Sequence, residues 1–293
     1  MKVSGFTFIK NAVKYDYPIV EAIKSILSLC DEFIVSLGNS EDATRELILS
    51  INSPKIKIFD SIWNENLREN GQVLADETNK ALQNVSTDSD WAFYIQGDEI
   101  VHEKYLDNIK KAMLKWKDIS NVEGLLFKYL HFYASYNYVG DSRRWYRNEI
   151  RIIRPNIGIT SYLDAQGFRK NGKKLNVKPI DAYIYHYGWV KSPLAQFQKN
   201  VYFQTLWHPD SYIEEWIEQN SNDNEIYDYS NIDSIKEFTN THPEVMKKRV
   251  SEQNWKITFD VNKKNYSTVR YILYLIEKYT GWRIGEYKNY KKI

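Results

Sequence analysis

The chain has 293 residues, enough for one large α/β unit with an extension or for two small domains. Hydrophobic residues make up 43% and charged residues 27%, which excludes a disordered chain. The 40 Lys and Arg nearly balance 38 Asp and Glu, which argues against a global nucleic-acid footprint, and no apolar run reaches the ~20 residues of a membrane span. Cys30 is the one cysteine, so no internal disulfide forms and a buried structural thiol is expected. The amino terminus enters a strand-like run with no hydrophobic leader, and the expected compartment is the cytoplasm.

Val3 to Ile9 reads as a first strand, closed by Lys10-Asn11. Asp16 is the expected N-cap of a helix with Pro18 in its first turn and Ile19, Val20, Ile23, Ile26 and Leu27 at helical spacing. Phe33 to Val35 is a second strand. It empties into Gly38-Asn39-Ser40-Glu41-Asp42-Ala43-Thr44, a turn rich in cap residues before a helix through Glu46 to Ile51. A third strand follows at Lys55 to Ile62 and a helix at Val73 to Leu82. Asp90 to Glu99 is then a buried strand that stops abruptly at Gly97-Asp98-Glu99. This alternation predicts an α/β fold with a mostly parallel sheet flanked by helices. His102 to Trp116 follows as a helix, and Val122 to Tyr133 as a long strand at one side, in antiparallel sense.

The middle segment, Tyr136 to Trp189, holds Arg143, Arg144, Arg147, Arg151, Arg154 and the run Tyr185-His186-Tyr187-Gly188-Trp189. Residues 1–190 are expected to form the catalytic domain and 191–293 a mostly helical extension, with a polar, acidic loop from Gln219 to Asp233. From Lys263 onward eight Lys or Arg face two Glu, a net charge of +6, with Trp282 and several tyrosines interleaved. Two readings of this tail stay open. It rests on an anionic bilayer surface, or it packs as a helix with Ile272, Leu275 and Ile276 inward.

Loops after parallel strands gather at the carboxyl rim of such a sheet, where ligands bind. Lys10, Asn11, Asn39, Ser40 and Asp42 carry amide, hydroxyl and charged groups suited to a nucleoside, although Asn39 to Thr44 also fit an ordinary helix cap. Gln96 to Glu99 would lie beside them and suit a divalent cation on phosphate oxygens.

These residues resemble the GT-A glycosyltransferases of family 2 over about residues 3 to 190. The resemblance is carried by Lys10-Asn11, Asp31 to Val35, the Ser40-x-Asp42-x-Thr44 turn, Thr78-Asn79 and Trp91 to Glu99. It implies a GT-A, Rossmann-like fold, a nucleoside-diphosphate-sugar donor, an acceptor hydroxyl on a saccharide or lipid-linked molecule, and inversion at the transferred sugar. It implies that Asp42 and Asn79 serve the nucleotide and that Asp98 holds Mg²⁺ or Mn²⁺. The chain departs from the family at Gln96, where the first acid of Asp-x-Asp stands, at Leu37 and at Ala43.

His186 is the expected second metal ligand, ending an apolar segment just before Gly188. His131 reads as structural, His102 as a support of the acidic loop, and His208 and His242 as turn residues. The family also places a general base after the metal strand. Asp164 stands in about that place, with Asp141 and Asp181 as alternatives. Arg144, Arg147 and Arg151 are candidate phosphate clamps, and Trp145, Tyr146, Phe168 and Trp189 are candidate stacking or core residues. The expected function is a metal-assisted glycosyltransferase of cell-surface polysaccharide or lipopolysaccharide synthesis. The alternatives are a sugar nucleotidyltransferase and a carbohydrate- or nucleic-acid-binding protein on a degenerate transferase scaffold.

Overall fold

A computed structural model describes residues 1–64, 66–220 and 226–293; residues 221–225 of the predicted acidic loop lie outside the described residues. Four strands form the expected parallel heart: β1 (Val3–Ile9), β2 (Glu32–Gly38), β3 (Ile56–Ser61) and β4 (Trp91–Tyr94). Parallel pairing runs β3-β2-β1-β4, so all four end on one rim. Helices α1 (Ile19–Ile26), α2 (Thr44–Leu49) and α3 (Gln72–Gln83) make the crossovers. Trp91 and Phe93 enter one core with Ile19, Ile23 and Ile26, whereas Ala92 and Tyr94 enter another with Phe6, Ile34 and Ala81. A strand covered on both faces needs apolar residues at every position, which is why β4 reads as a continuous apolar run.

Two local expectations change. Asp16 does not cap α1; Pro18 occupies the N-cap with no side-chain bond, and Asp16 turns through φ +47° to pair with Arg249 at 2.6 Å. The long strand β6 (Gly124–Tyr133) is not itself reversed relative to β4. After β5 (Glu99–Val101) and α4 (Leu106–Trp116), β6 leads through β7 (Ser135–Gly140) to β8 (Asn148–Ile153), which lies antiparallel between β4 and β6.

The hairpin β9 (Ile159–Tyr162) and β10 (Gly167–Lys170), with β11 (Lys173–Lys174), forms a small separate sheet. Strand β12 (Asn176–Trp189) then returns parallel to β6 and antiparallel to β5, setting His186 opposite both His131 and Glu99. The region beyond residue 190 holds α5 (Pro193–Thr205), α6 (Asp210–Asn220), β13 (Ile235–Glu237), α7 (Lys247–Ser251), α8 (Thr268–Thr280) and β14 (Lys291–Lys292). It also extends the main sheet, because β13 pairs with β7 and β14 with β12. Among the described residues no helix is long and apolar enough to cross a membrane.

Candidate functional site

Asp98 leaves the rim just past β4, where its backbone carbonyl accepts from Tyr187 N at 2.8 Å. That bond pins the acidic loop to β12. A Cβ on Gly188 would lie 2.7 Å from Asp98 Oδ2, so only glycine there lets the strand approach the carboxylate this closely. The two carboxylate oxygens have separate neighbours. Oδ1 lies 3.7 Å from His186 Nε2, and Oδ2 lies 3.3 Å from the Lys199 ammonium. Burial pushes the Asp98 carboxyl up, but the ammonium groups of Lys199 and Lys191, joined by His186 only while that ring is protonated, outweigh it and hold it below its ordinary value.

The two buried histidines form a directed chain. His131 Nε2 lies 2.8 Å from the carbonyl of Tyr146, which only accepts, so this nitrogen carries the proton. Burial holds the imidazole of His131 well below its ordinary pKa, so its Nδ1 is bare and accepts from His186 Nδ1 at 3.2 Å. Burial lowers His186 as well, and the neutral ring then turns a bare Nε2 toward Asp98. A lone pair facing a carboxylate is a repulsive arrangement unless a cation lies between them. This oxygen–nitrogen pair is a donor set that would hold a divalent cation such as Mg²⁺ or Mn²⁺. Among the described residues no cluster of three or more His, Cys, Asp or Glu stands ready as a metal cage. Two donors plus phosphate is the way small cations are commonly held on nucleotides.

Glu99, considered as a third metal ligand, is committed elsewhere. Arg151 Nε and Nη2 each donate to it at 2.7 Å, and Tyr129 OH donates at 2.7 Å. Arg151 is 1% exposed and so has no free face for phosphate; the pair braces the Asp98 loop from beneath. The other expected clamps are also drawn away. Arg147 makes a two-pronged pair with Glu286 at 3.1 and 3.2 Å, and exposed Arg144 leans on Trp145 and the Asn231 carbonyl.

The first two βα loops do converge, and much of their polar chemistry is spent on each other. Asn11, at φ +54°, accepts from Glu41 N at 2.8 Å through its side chain, while its own N–H donates to Ser40 Oγ at 3.0 Å. Asp42 accepts from Lys14 N at 2.7 Å and from the N–H and hydroxyl of Thr44. Burial raises its carboxyl, but the Thr44 and backbone bonds outweigh this and lower it, as expected of a helix-start acceptor. Asn79 gives both ends of its amide to the backbone of Ser161, tying α3 to β9. Asn39 is exposed, and Gln96 leans on Tyr94 OH at 3.4 Å.

Lys10 keeps an open prospect. Its ammonium lies 5.5 Å over Trp63, and both border a cavity of about 220 Å³ with Asn64, Val73, Tyr202 and Leu206. Helix α5 closes this cavity and also delivers Lys199. Ser192 caps the helix by accepting from Ala195 N, and Pro193 occupies its first turn. Gln196, Lys199, Tyr202 and Leu206 recur at helical spacing toward the rim. Lys191, 1% exposed, bonds to the Asp16 carbonyl, and both ammonium groups lie near the Tyr17 ring, at 5.4 and 4.7 Å. Burial, reinforced by Lys199, pulls Lys191 down to about 7.

Asp164 sits in the β9–β10 turn between Leu163 at φ +52° and Ala165 at φ +62°, two non-glycine residues in the left-handed region. Its Cβ is 3.0 Å from where a Cβ on Gly71 would lie, and Trp207 is at the same distance from that point. Asp164 Oδ1 is buried with no hydrogen-bond partner among the described residues, as are Trp63 Nε1 and Trp207 Nε1. Three orphaned polar atoms around one cluster are what a polar ligand would satisfy. Burial raises the Asp164 carboxyl. Asp141 lies elsewhere, held by Ser234 and Lys264, and Asp181 is exposed beside Lys128.

Of the remaining aromatics, Phe168 is fully buried core, Trp189 packs on Tyr227, and Trp145 stacks on His131 at 5.1 Å. Tyr146 stays 41% exposed above the same histidine. His102 bonds to Thr241 Oγ1 at 3.0 Å, and His208 packs on Tyr212. His242 is more than a turn residue, because it bridges Tyr187 OH and the Tyr136 carbonyl. A larger cavity of about 590 Å³, lined by Pro193, Tyr227, Ile257 and Phe259 among others, touches none of the candidate residues. Sequence reasoning missed Lys191, Lys199 and Tyr17; a lysine on the apolar stripe of α5 was the readable signal.

No family model and no curated protein matches the chain. Among solved structures it is similar to S. aureus TarS, at 19% identity over 69% of this chain and 39% of that one, TM-score 0.40. It is also similar to glucosyl-3-phosphoglycerate synthase from Mycobacterium tuberculosis, solved with Mn²⁺, uridine diphosphate and phosphoglyceric acid, at 18% identity over 44% and 43%, TM-score 0.31. A third is 4-diphosphocytidyl-2C-methyl-D-erythritol synthase from Anaerococcus prevotii, at 12% identity over 73% and 96%, TM-score 0.39. The chain thus spans about two fifths of the length of the first two. Its fold is an α/β sheet flanked by helices, with a parallel heart of four strands.

Proposed function

We propose that this chain is a nucleotide-sugar-dependent glycosyltransferase of the family-2 kind, metal-assisted and inverting. The observation that carries the reading is the Asp98–His186 pair, whose bare imidazole nitrogen faces a carboxylate at the sheet rim with the Lys199 ammonium on its other oxygen. Asp98 and His186 would hold Mg²⁺ or Mn²⁺, which when bound offsets the charge that develops on the leaving diphosphate. Lys199 gives that diphosphate a cationic donor in a water-poor setting, and the fully buried Lys191 ammonium adds positive field there without a direct contact. Lys10 and Trp63 face the nucleoside side of the cleft. Asp164, with its raised pKa and an unpartnered oxygen, takes the proton from the acceptor hydroxyl as that oxygen attacks the sugar carbon from the face opposite the leaving group. The acceptor is a saccharide or a lipid-linked molecule of cell-surface polysaccharide or lipopolysaccharide assembly.

A donor-hydrolysis screen across nucleotide sugars with Mn²⁺ tests this. Release of a nucleoside diphosphate from one donor class supports the reading. Pyrophosphate release from a nucleoside triphosphate and a sugar phosphate would make the protein a nucleotidyltransferase. No turnover, and no binding of any nucleotide, would leave a binding module.

A further inference from the structure

Helix α8 wears its apolar stripe on the outside. Val269, Ile272, Ile276 and Tyr279 recur at i, i+3, i+7 and i+10, the spacing that normally turns a helix face into a core. Yet none of its residues is fully buried; Ile276 is half-buried, whereas Val269 is 68% exposed, Ile272 52% and Tyr279 78%, and Trp282 just beyond is 64% exposed. The side turned to the protein is half-buried and mixed, with Leu273, Tyr274, Leu275 and Ile276 beside one acid. Glu277 reaches inward to Arg143 at 2.9 Å, Arg147 at 3.4 Å and Arg283 at 3.4 Å. Of the residues expected inward, Leu275 and Ile276 are half-buried and Ile272 is exposed.

We infer that this face docks on an anionic lipid bilayer. Charge selects the occupant. Both acids of the tail, Glu277 and Glu286, are neutralised inward by arginines, whereas Lys278 lies exposed over the Tyr279 ring and Lys288 is exposed beyond the helix. Aromatic rings flanked by lysines suit the headgroup level of a membrane carrying negative lipids. A second copy of the chain is a poor occupant on two grounds. Two such faces would bring like charges together, and a 13-residue helix offers an area of about 200 Å², well below the ~800 Å² per partner of a stable dimer. The helix is tied to residues 142–147, whose Trp145 packs on His131, so a bound bilayer would border the candidate site. The inference does not depend on the catalytic reading.

The test is vesicle flotation of the full chain with phosphatidylcholine alone and with about a third phosphatidylglycerol. We expect binding to the anionic vesicles only, weakened by salt. The triple change Ile272→Ser, Tyr279→Ser, Trp282→Ser should reduce the bound fraction about tenfold or more. Because these side chains are exposed, an unchanged melting temperature verifies that this variant folds. Lys278→Glu with Lys288→Glu, which leaves the apolar stripe intact, should also release the protein. Absence of binding, equal binding to neutral vesicles, or binding unaffected by either set of changes overturns the inference. So does a dimer in sedimentation that the triple variant dissolves.

Discussion

His131 and His186 face each other across β6 and β12 with their Nδ1 atoms 3.2 Å apart, and that one hydrogen bond fixes which nitrogen of His186 is bare. His131→Phe keeps the ring but removes the acceptor, leaving His186 free to protonate the nitrogen that faces Asp98. Mn²⁺ affinity, read by paramagnetic resonance without any donor present, should fall about 10- to 100-fold. His131→Gln, which can accept from one neighbour and donate to the other, should recover part of that loss. Equal affinity in all three proteins would leave His131 with packing alone.

Lys199 is expected to serve the diphosphate. Lys199→Met should weaken a nucleoside diphosphate by about tenfold or more, with a much smaller effect on the corresponding nucleoside. Lys191 adds a pH signature. Its ammonium is charged below about 7 and neutral above, so diphosphate affinity should fall as pH rises through that value. The loss should reach about tenfold between pH 6.5 and 8.5 and vanish in Lys191→Met. Calorimetric titration at several pH values reads both effects.

Asp164→Asn separates chemistry from binding. Turnover should drop about 10² to 10⁴-fold while donor affinity holds, because the carboxylate acts on the acceptor proton. Since Asn keeps the side chain's shape and an oxygen for its bonds from Gln166, the melting temperature should stay level. A variant with full turnover would move the base elsewhere.

Glu149, two residues before Arg151 on β8, supplies a stability test. It is 7% exposed, and burial pushes its carboxyl up to about 7. The folded chain then binds more protons than the unfolded one between about pH 4.5 and 7, so this group's contribution to stability declines as pH rises across that window. Glu149→Gln removes the titration. The variant should gain up to about 2–3 kcal/mol over the native protein at pH 7.5 and little at pH 4.5, read by denaturant melts.

The parallel heart was legible because β1, β2 and β4 are short apolar runs punctuated by Lys10-Asn11, Gly38 and Gly97, and local pattern is what such strands carry. The gathering of Asp98 and His186 followed from the rim rule and the family resemblance together. Partners distant in sequence were not legible. Arg147 reads as a phosphate clamp until Glu286, 139 residues later, is found on its guanidinium. Asp42 was ambiguous for a chemical reason: a helix cap and a nucleotide contact both need a small acceptor beside free N–H groups. Lys199 was hidden because it reaches Asp98 from a helix 101 residues away, and only its seat on an apolar stripe hinted at burial.

The most direct test is calorimetric titration of nucleoside diphosphates into the wild type and Asp98→Asn, each with and without Mn²⁺. Binding in the wild type should depend on Mn²⁺ and disappear in the variant, with melting temperatures within about 4 °C of each other. Undiminished Mn²⁺-dependent binding in Asp98→Asn, or wild-type binding indifferent to the ion, would contradict the assignment of Asp98 and His186 as the cation's ligands.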